Sequence, residues 1–131
     1  LTAYGYSPLH LAAETDTVDF VKLLIEKGAE VNLGNTKKFT PMHAASDRGY
    51  LEVVQALVEA GAKADVVDDD GFSPLLGATM AGSVELVRYL LEKGADKTVK
   101  AKVAYGKVAV GDTPLDVAKK MENDELVALL N

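Results

Sequence analysis

The chain has 131 residues, 14 Lys and Arg against 20 Asp and Glu, a formal net charge of −6, two His, and neither Cys nor Trp. This excludes disulfides, a thiolate nucleophile, Cys-ligated zinc or iron–sulfur centres and a multi-His metal site. It also disfavours whole-surface binding of nucleic acid, whose phosphates are held by Lys and Arg. In chain order, Ser7-Pro8 opens a first helix: the hydroxyl caps free amides, and Pro suits the first helical position. Small residues follow at Ala12-Ala13, and Thr17 is placed to cap a second helix carrying Phe20, Val21, Leu23, Leu24 and Ile25 at helical spacing. Gly28 closes that helix in a left-handed cap, and polar turn residues over Asn32–Asn35 lead on. The pattern returns with Thr40-Pro41, Ala44-Ala45, Tyr50 at the second cap, Val53, Val54, Leu57, Val58, Gly61 and the turn Asp68–Gly71. It returns again with Ser73-Pro74, Gly77-Ala78, Ser83, Leu86, Val87, Leu90, Leu91 and Gly94, and finally with Thr113-Pro114, Ala118, Asn123, Leu126, Val127, Leu129 and Leu130.

The period is explicit. Ser7, Thr40 and Ser73 are 33 residues apart, as are Gly28, Gly61 and Gly94, while Ser73 to Thr113 is 40. One helix–turn–helix unit cannot bury its own apolar face, whereas stacked units can. The longest uncharged stretch, Gly71 to Val84, is 14 residues and holds Pro and Gly, too short to cross a bilayer. There is no basic-then-apolar leader and no Asn-x-Ser/Thr acceptor. The expected location is therefore cytoplasmic, with the nucleus possible.

The segments Tyr6-Ser7-Pro8-Leu9-His10-Leu11-Ala12-Ala13 and Gly28-Ala29-Glu30-Val31-Asn32 resemble the ankyrin repeat family, and the resemblance runs over essentially the whole chain, weakening after the first helix of the fourth unit. It implies an all-α solenoid of helix–turn–helix units joined by β-hairpins or loops. The chain is read as one domain with repeats at about 1–33, 34–66, 67–106 and 107–131, and an insertion within about 97–110. It further implies that His10 and His43 are structural, linking adjacent loops by hydrogen bonds. Leu76 and Asp116 stand at the same position in units three and four, so that link should weaken towards the C-terminus. Asp68-Asp69-Asp70-Gly71 looks like part of a calcium loop, but setting Gly71 at the sixth position puts Val66 at the first and Gly77 at the twelfth, where a carboxylate is needed. A solvated turn is expected instead. No phosphate loop and no Ser/His/Asp set is visible, so no enzyme, metal or cofactor is expected.

Partners of such stacks, the resemblance implies, lie on the concave face of loop tips and first helices. Tyr6, Phe39 and Phe72 share the position before the Ser/Thr-Pro step, and Asp112 stands there in unit four. Stacking would align the three rings either as binding anchors or as packing for their own turns. Around them are placed Tyr4, Lys37, Lys38, Asp69 and Asp70 from the loops and Glu14, Thr15, Asp47, Arg48, Met80, Ala81, Lys120 and Met121 from the first helices. The third connector is seven residues longer than the others, and its segment Lys97–Val110 alternates Val99, Ala101 and Val103 with Lys100 and Lys102, reaches Tyr105-Gly106 and returns through Lys107. This predicts a two-stranded finger. It either clamps an acidic or phosphorylated partner, or touches an anionic membrane surface, or is a solvated hairpin whose lysines protect an edge. The expected function is a scaffold or adaptor binding a protein or peptide, alone or as a regulatory domain of a larger protein. Unit one is as apolar inside as unit two, and the last helix ends at Asn131 without Gly. Both ends are thus expected to be cuts through something longer or faces covered by a partner.

Overall fold

The computed structural model describes residues 4–131. Among them eight helices form four antiparallel pairs: α1 (Pro8–Ala13) with α2 (Val18–Glu26), α3 (Pro41–Asp47) with α4 (Leu51–Glu59), α5 (Pro74–Met80) with α6 (Val84–Glu92), and α7 (Pro114–Lys120) with α8 (Asp124–Leu130). The first helices stack in one row, α1 on α3 on α5 on α7, and the second helices behind them, with α2 on α4 and α6 on α8. The solenoid is all-α, and its connectors are loops.

Helices of six to nine residues are marginal alone and depend on caps and packing. Ser7, Ser73 and Thr113 each accept the backbone N–H three residues on. Ser83 and Asn123 cap α6 and α8 in the same way. Thr17 does not cap α2: its hydroxyl donates instead to the Ala12 carbonyl at 3.3 Å, closing the turn between α1 and α2. The second helices stop as their glycines predict. Gly28, Gly61 and Gly94 have φ of +92°, +98° and +92°, and the next amide reaches back, Ala29 to Leu24 O and Ala62 to Leu57 O, closing the helix end.

The loops are stitched across repeats: Thr36 N–H donates to Tyr4 O, Asp69 N–H to Lys37 O, and Lys102 N–H to Asp70 O at 2.8 Å. Asn35 Oδ1 accepts Lys37 and Phe39 N–H, and Asp68 Oδ1 accepts Asp70 and Phe72 N–H. Asp68 is buried, so the turn expected to be solvated is a structural one, organised by its own carboxylate.

The main core runs through all four pairs, centred on Leu9, Val21, Met42, Leu57, Leu75, Leu86, Leu90 and Leu126. A second, smaller core joins Leu76, Ala101, Val108 and Val117. It explains why the expected two-stranded finger does not form. Of its strands only a Tyr105–Val108 bridge around the Gly106-Lys107 turn exists. Ala101 and Val108 are drawn into this core, while Ala101 bonds Asp112 and Gly111, and Lys102 bonds the preceding loop. The insertion therefore lies folded against repeats three and four. At the N-terminal side Leu11, Phe20 and Leu23 are exposed. The positions equivalent to Leu11 and Phe20, such as Ala44 and Val53, are buried where a preceding helix pair covers them.

Candidate functional site

Phe39 and Phe72 are each held, through the backbone carbonyl, by a histidine of the repeat before. In repeat one Ser7 N–H donates to His10 Nδ1 at 3.0 Å, which leaves the ring proton on Nε2, and this donates to Phe39 O at 2.7 Å. In repeat two Thr40 N–H donates to His43 Nδ1 at 3.0 Å, and His43 Nε2 donates to Phe72 O at 3.0 Å. Both imidazoles are enclosed, and burial lowers both pKa values, that of His43 to about 4. The neutral form that these bonds require is thus the stable one at neutral pH. Leu76 replaces this bridge in repeat three with apolar contact in the second core, and Asp116 caps α7 through Thr113 N–H.

The rings rest on the imidazoles. Phe39 stacks on His43 with centroids 5.2 Å apart, and Tyr6 meets His10 edge-on at 5.5 Å. Tyr6 and Phe39 touch edge-on at 6.2 Å. Phe72 meets Tyr105 in the same manner at 6.3 Å. The three repeat-register aromatics are half-buried, so each packs on its own turn and still presents surface. Asp112 interrupts the register in repeat four, and Tyr105 from the insertion extends the row beside Phe72 instead.

All four rings line one open groove of about 560 Å³. Glu14, Asp47, Arg48, Asp70 and Met80 line it with them. Of the other residues placed at the site by the sequence, Tyr4 is 70% exposed outside the groove, its carbonyl tied to Thr36. Lys100, Lys102 and Lys107 are exposed on the insertion and do not line the groove. Lys37, which the sequence also places beside the aromatic row, lines the groove as well, and the lining residues it does not place there are Asn35, Ala44, Asp68 and Gly77. The 33-residue period held that information: Asn35 and Asp68 are one repeat apart, as are Ala44 and Gly77.

The floor is shaped by Gly77. A Cβ there would collide with Asp47 Oδ1 and come within 3.2 Å of the Asp47 backbone nitrogen. Asp47 as a residue is exposed, but its carboxylate is crowded against α5. That crowding, with the Asp68 charge behind it, pushes its pKa up to about 7, while neighbouring Arg48 pulls it down. Asp68 is likewise raised by burial, against the lowering effect of its two backbone bonds. Lys37 pairs with Asp70 at 3.7 Å, whereas Arg48 has no carboxylate oxygen within 4.0 Å among the described residues. Neither a metal-ligand cluster nor a helix long and apolar enough to cross a membrane occurs among the described residues.

A search of curated proteins gives no match. A family model described as ankyrin repeats in three copies matches residues 1–68 and again 61–131. With the 33-residue period, the stacked helix pairs and the His-bridged loops, this shows that the chain belongs to the ankyrin repeat family, whose members generally serve as protein–protein interaction modules.

Proposed function

We propose that this chain is a non-catalytic scaffold or adaptor module that receives an extended peptide, or a projecting edge of a partner protein, in the concave groove. The observation that carries this reading is the alignment of Tyr6, Phe39, Phe72 and Tyr105 along one open groove. Phe39 and Phe72, half-buried and held through their carbonyls by His10 and His43, lose little freedom on binding and offer large rigid contact area, and Tyr105 adds an exposed ring beside them. An open trough suits a macromolecular segment better than a small substrate, which needs an enclosed pocket. The cysteine-free composition supports placing the module in the cytoplasm or nucleus.

A reading in which the insertion lysines grip an acidic or phosphorylated partner, or an anionic membrane, rests on Lys100, Lys102 and Lys107. It is the weaker one, because these residues lie outside the groove on a segment folded down against the stack. The test uses a partner captured from cells. Phe39→Ala with Phe72→Ala removes two anchors, each worth roughly 2 kcal/mol, and should weaken binding at least tenfold with far-UV circular dichroism unchanged. Full affinity in that double variant would remove the concave-face reading.

A further inference from the structure

The groove is lined by four carboxylates, Glu14, Asp47, Asp68 and Asp70, and two cations, Lys37 and Arg48. Three of the four acids are already engaged or set apart. Asp70 holds Lys37, Asp68 spends its oxygen on two backbone amides, and Glu14 stands at the C-cap of α1. Asp47 differs. It has neither a hydrogen bond nor an ion pair among the described residues, and its carboxylate lies over Gly77, inside the trough that the aromatic row borders. Burial and the Asp68 charge hold its carboxyl above the ordinary carboxylate range, and the nearby Arg48 charge offsets them only in part.

We infer that the groove selects a basic partner segment, one Arg or Lys side chain of which lies along the rings of Phe72 and Tyr105, which no imidazole covers, with its charge directed to Asp47. Ring faces carry negative electrostatic potential and attract a cation lying over them. The Asp47 carboxylate, seated over Gly77 where a Cβ would collide with it, adds charge complementarity within the same trough. The net charge of −6 favours approach of such a segment from a distance. An acidic or phosphorylated segment would meet Asp47, Asp68 and Asp70 together. This inference rests on the concave-groove reading and specifies its ligand.

The test uses four synthetic peptides, acetyl-Gly-Ser-X-Ser-Gly-amide with X as Arg, Lys, norleucine or Glu, titrated into the 15N-labelled chain at pH 8, where Asp47 is ionised. Arg and Lys peptides should shift the amides of Asp47, Phe72 and Gly77 saturably, with Glu inactive and norleucine at least fivefold weaker. Asp47→Asn should reduce the Arg and Lys affinities at least fivefold while leaving norleucine binding and far-UV circular dichroism unchanged. If norleucine binds as tightly as Lys, or Asp47→Asn leaves the Arg affinity intact, the cationic assignment is overturned while the groove reading stands. If no peptide moves a groove amide, the groove reading falls with it.

Discussion

His43 and Asp47, four residues apart on α3, respond to pH with opposite sign. A histidine whose pKa falls on folding stabilises fully above its unfolded value of 6.5. As pH drops from there towards 4, the unfolded chain takes up a proton that the fold refuses. At about 1.4 kcal/mol per pH unit, His43 alone removes roughly 3 kcal/mol by pH 4. Asp47 is held protonated in the fold up to about 7, so its burden is absent below pH 4 and grows as pH rises to 7. Between pH 4 and 6.5 the two slopes oppose. In urea unfolding at pH 8, Asp47→Asn should therefore be more stable than the parent, and its stability should fall more steeply from pH 6.5 to 4.5. Parallel curves would contradict the account. Ser46, next to Asp47 in α3, is fully buried and its hydroxyl has no hydrogen-bond partner. The equivalent residue is Ala13 in repeat one, and in repeat three it is Thr79, whose hydroxyl donates to Leu75 O at 2.8 Å. Ser46→Ala should thus raise stability by about 1 kcal/mol in thermal or urea denaturation, and a loss would show that the hydroxyl is satisfied after all.

At the scale of elements, what could be read from the sequence was what short-range chemistry decides. Ser7-Pro8 and its counterparts start helices because hydroxyl and ring act within one turn, and Gly28 ends one because φ near +90° penalises a Cβ. By the same reasoning Thr17 should cap α2, but its hydroxyl donates to the Ala12 carbonyl and accepts no amide of that helix. The insertion departs from its sequence pattern for a different reason. Its alternation of Val and Lys fits a strand pair, yet Ala101 and Val108 find a better apolar surface on Leu76 and Val117, residues well separated in sequence. Gly71 is the seam of that docking, at φ +79° with its Cβ direction 2.6 Å from Lys100 O and 2.8 Å from Lys102 N. Gly71→Ala should cost more than 2 kcal/mol, against about 1 for Gly61→Ala, which has a similar φ but open space. Hydrogen exchange at the Lys102 amide should accelerate in Gly71→Ala. Equal costs at the two glycines would mean that the insertion does not pack on this loop.

Over the whole molecule, function depends on repetition. Stacking repeats puts residue 6 beside residue 39, and the His bridges pass the position of one ring to the next by way of its backbone carbonyl. The aromatic row was legible because a 33-residue period in sequence becomes translation in space. Asp47 over Gly77, the contact that sets the chemistry of the groove floor, was not, since it joins α3 to α5 across two repeats and no spacing rule reports it. The most direct measurement of the central claim follows the ring protons of Tyr6, Phe39, Phe72 and Tyr105 by NMR while a captured partner segment is titrated in. If consecutive repeats build one binding strip, all four rings should shift along a single saturation curve with a common Kd. A partner that binds tightly while leaving these rings unmoved would contradict it.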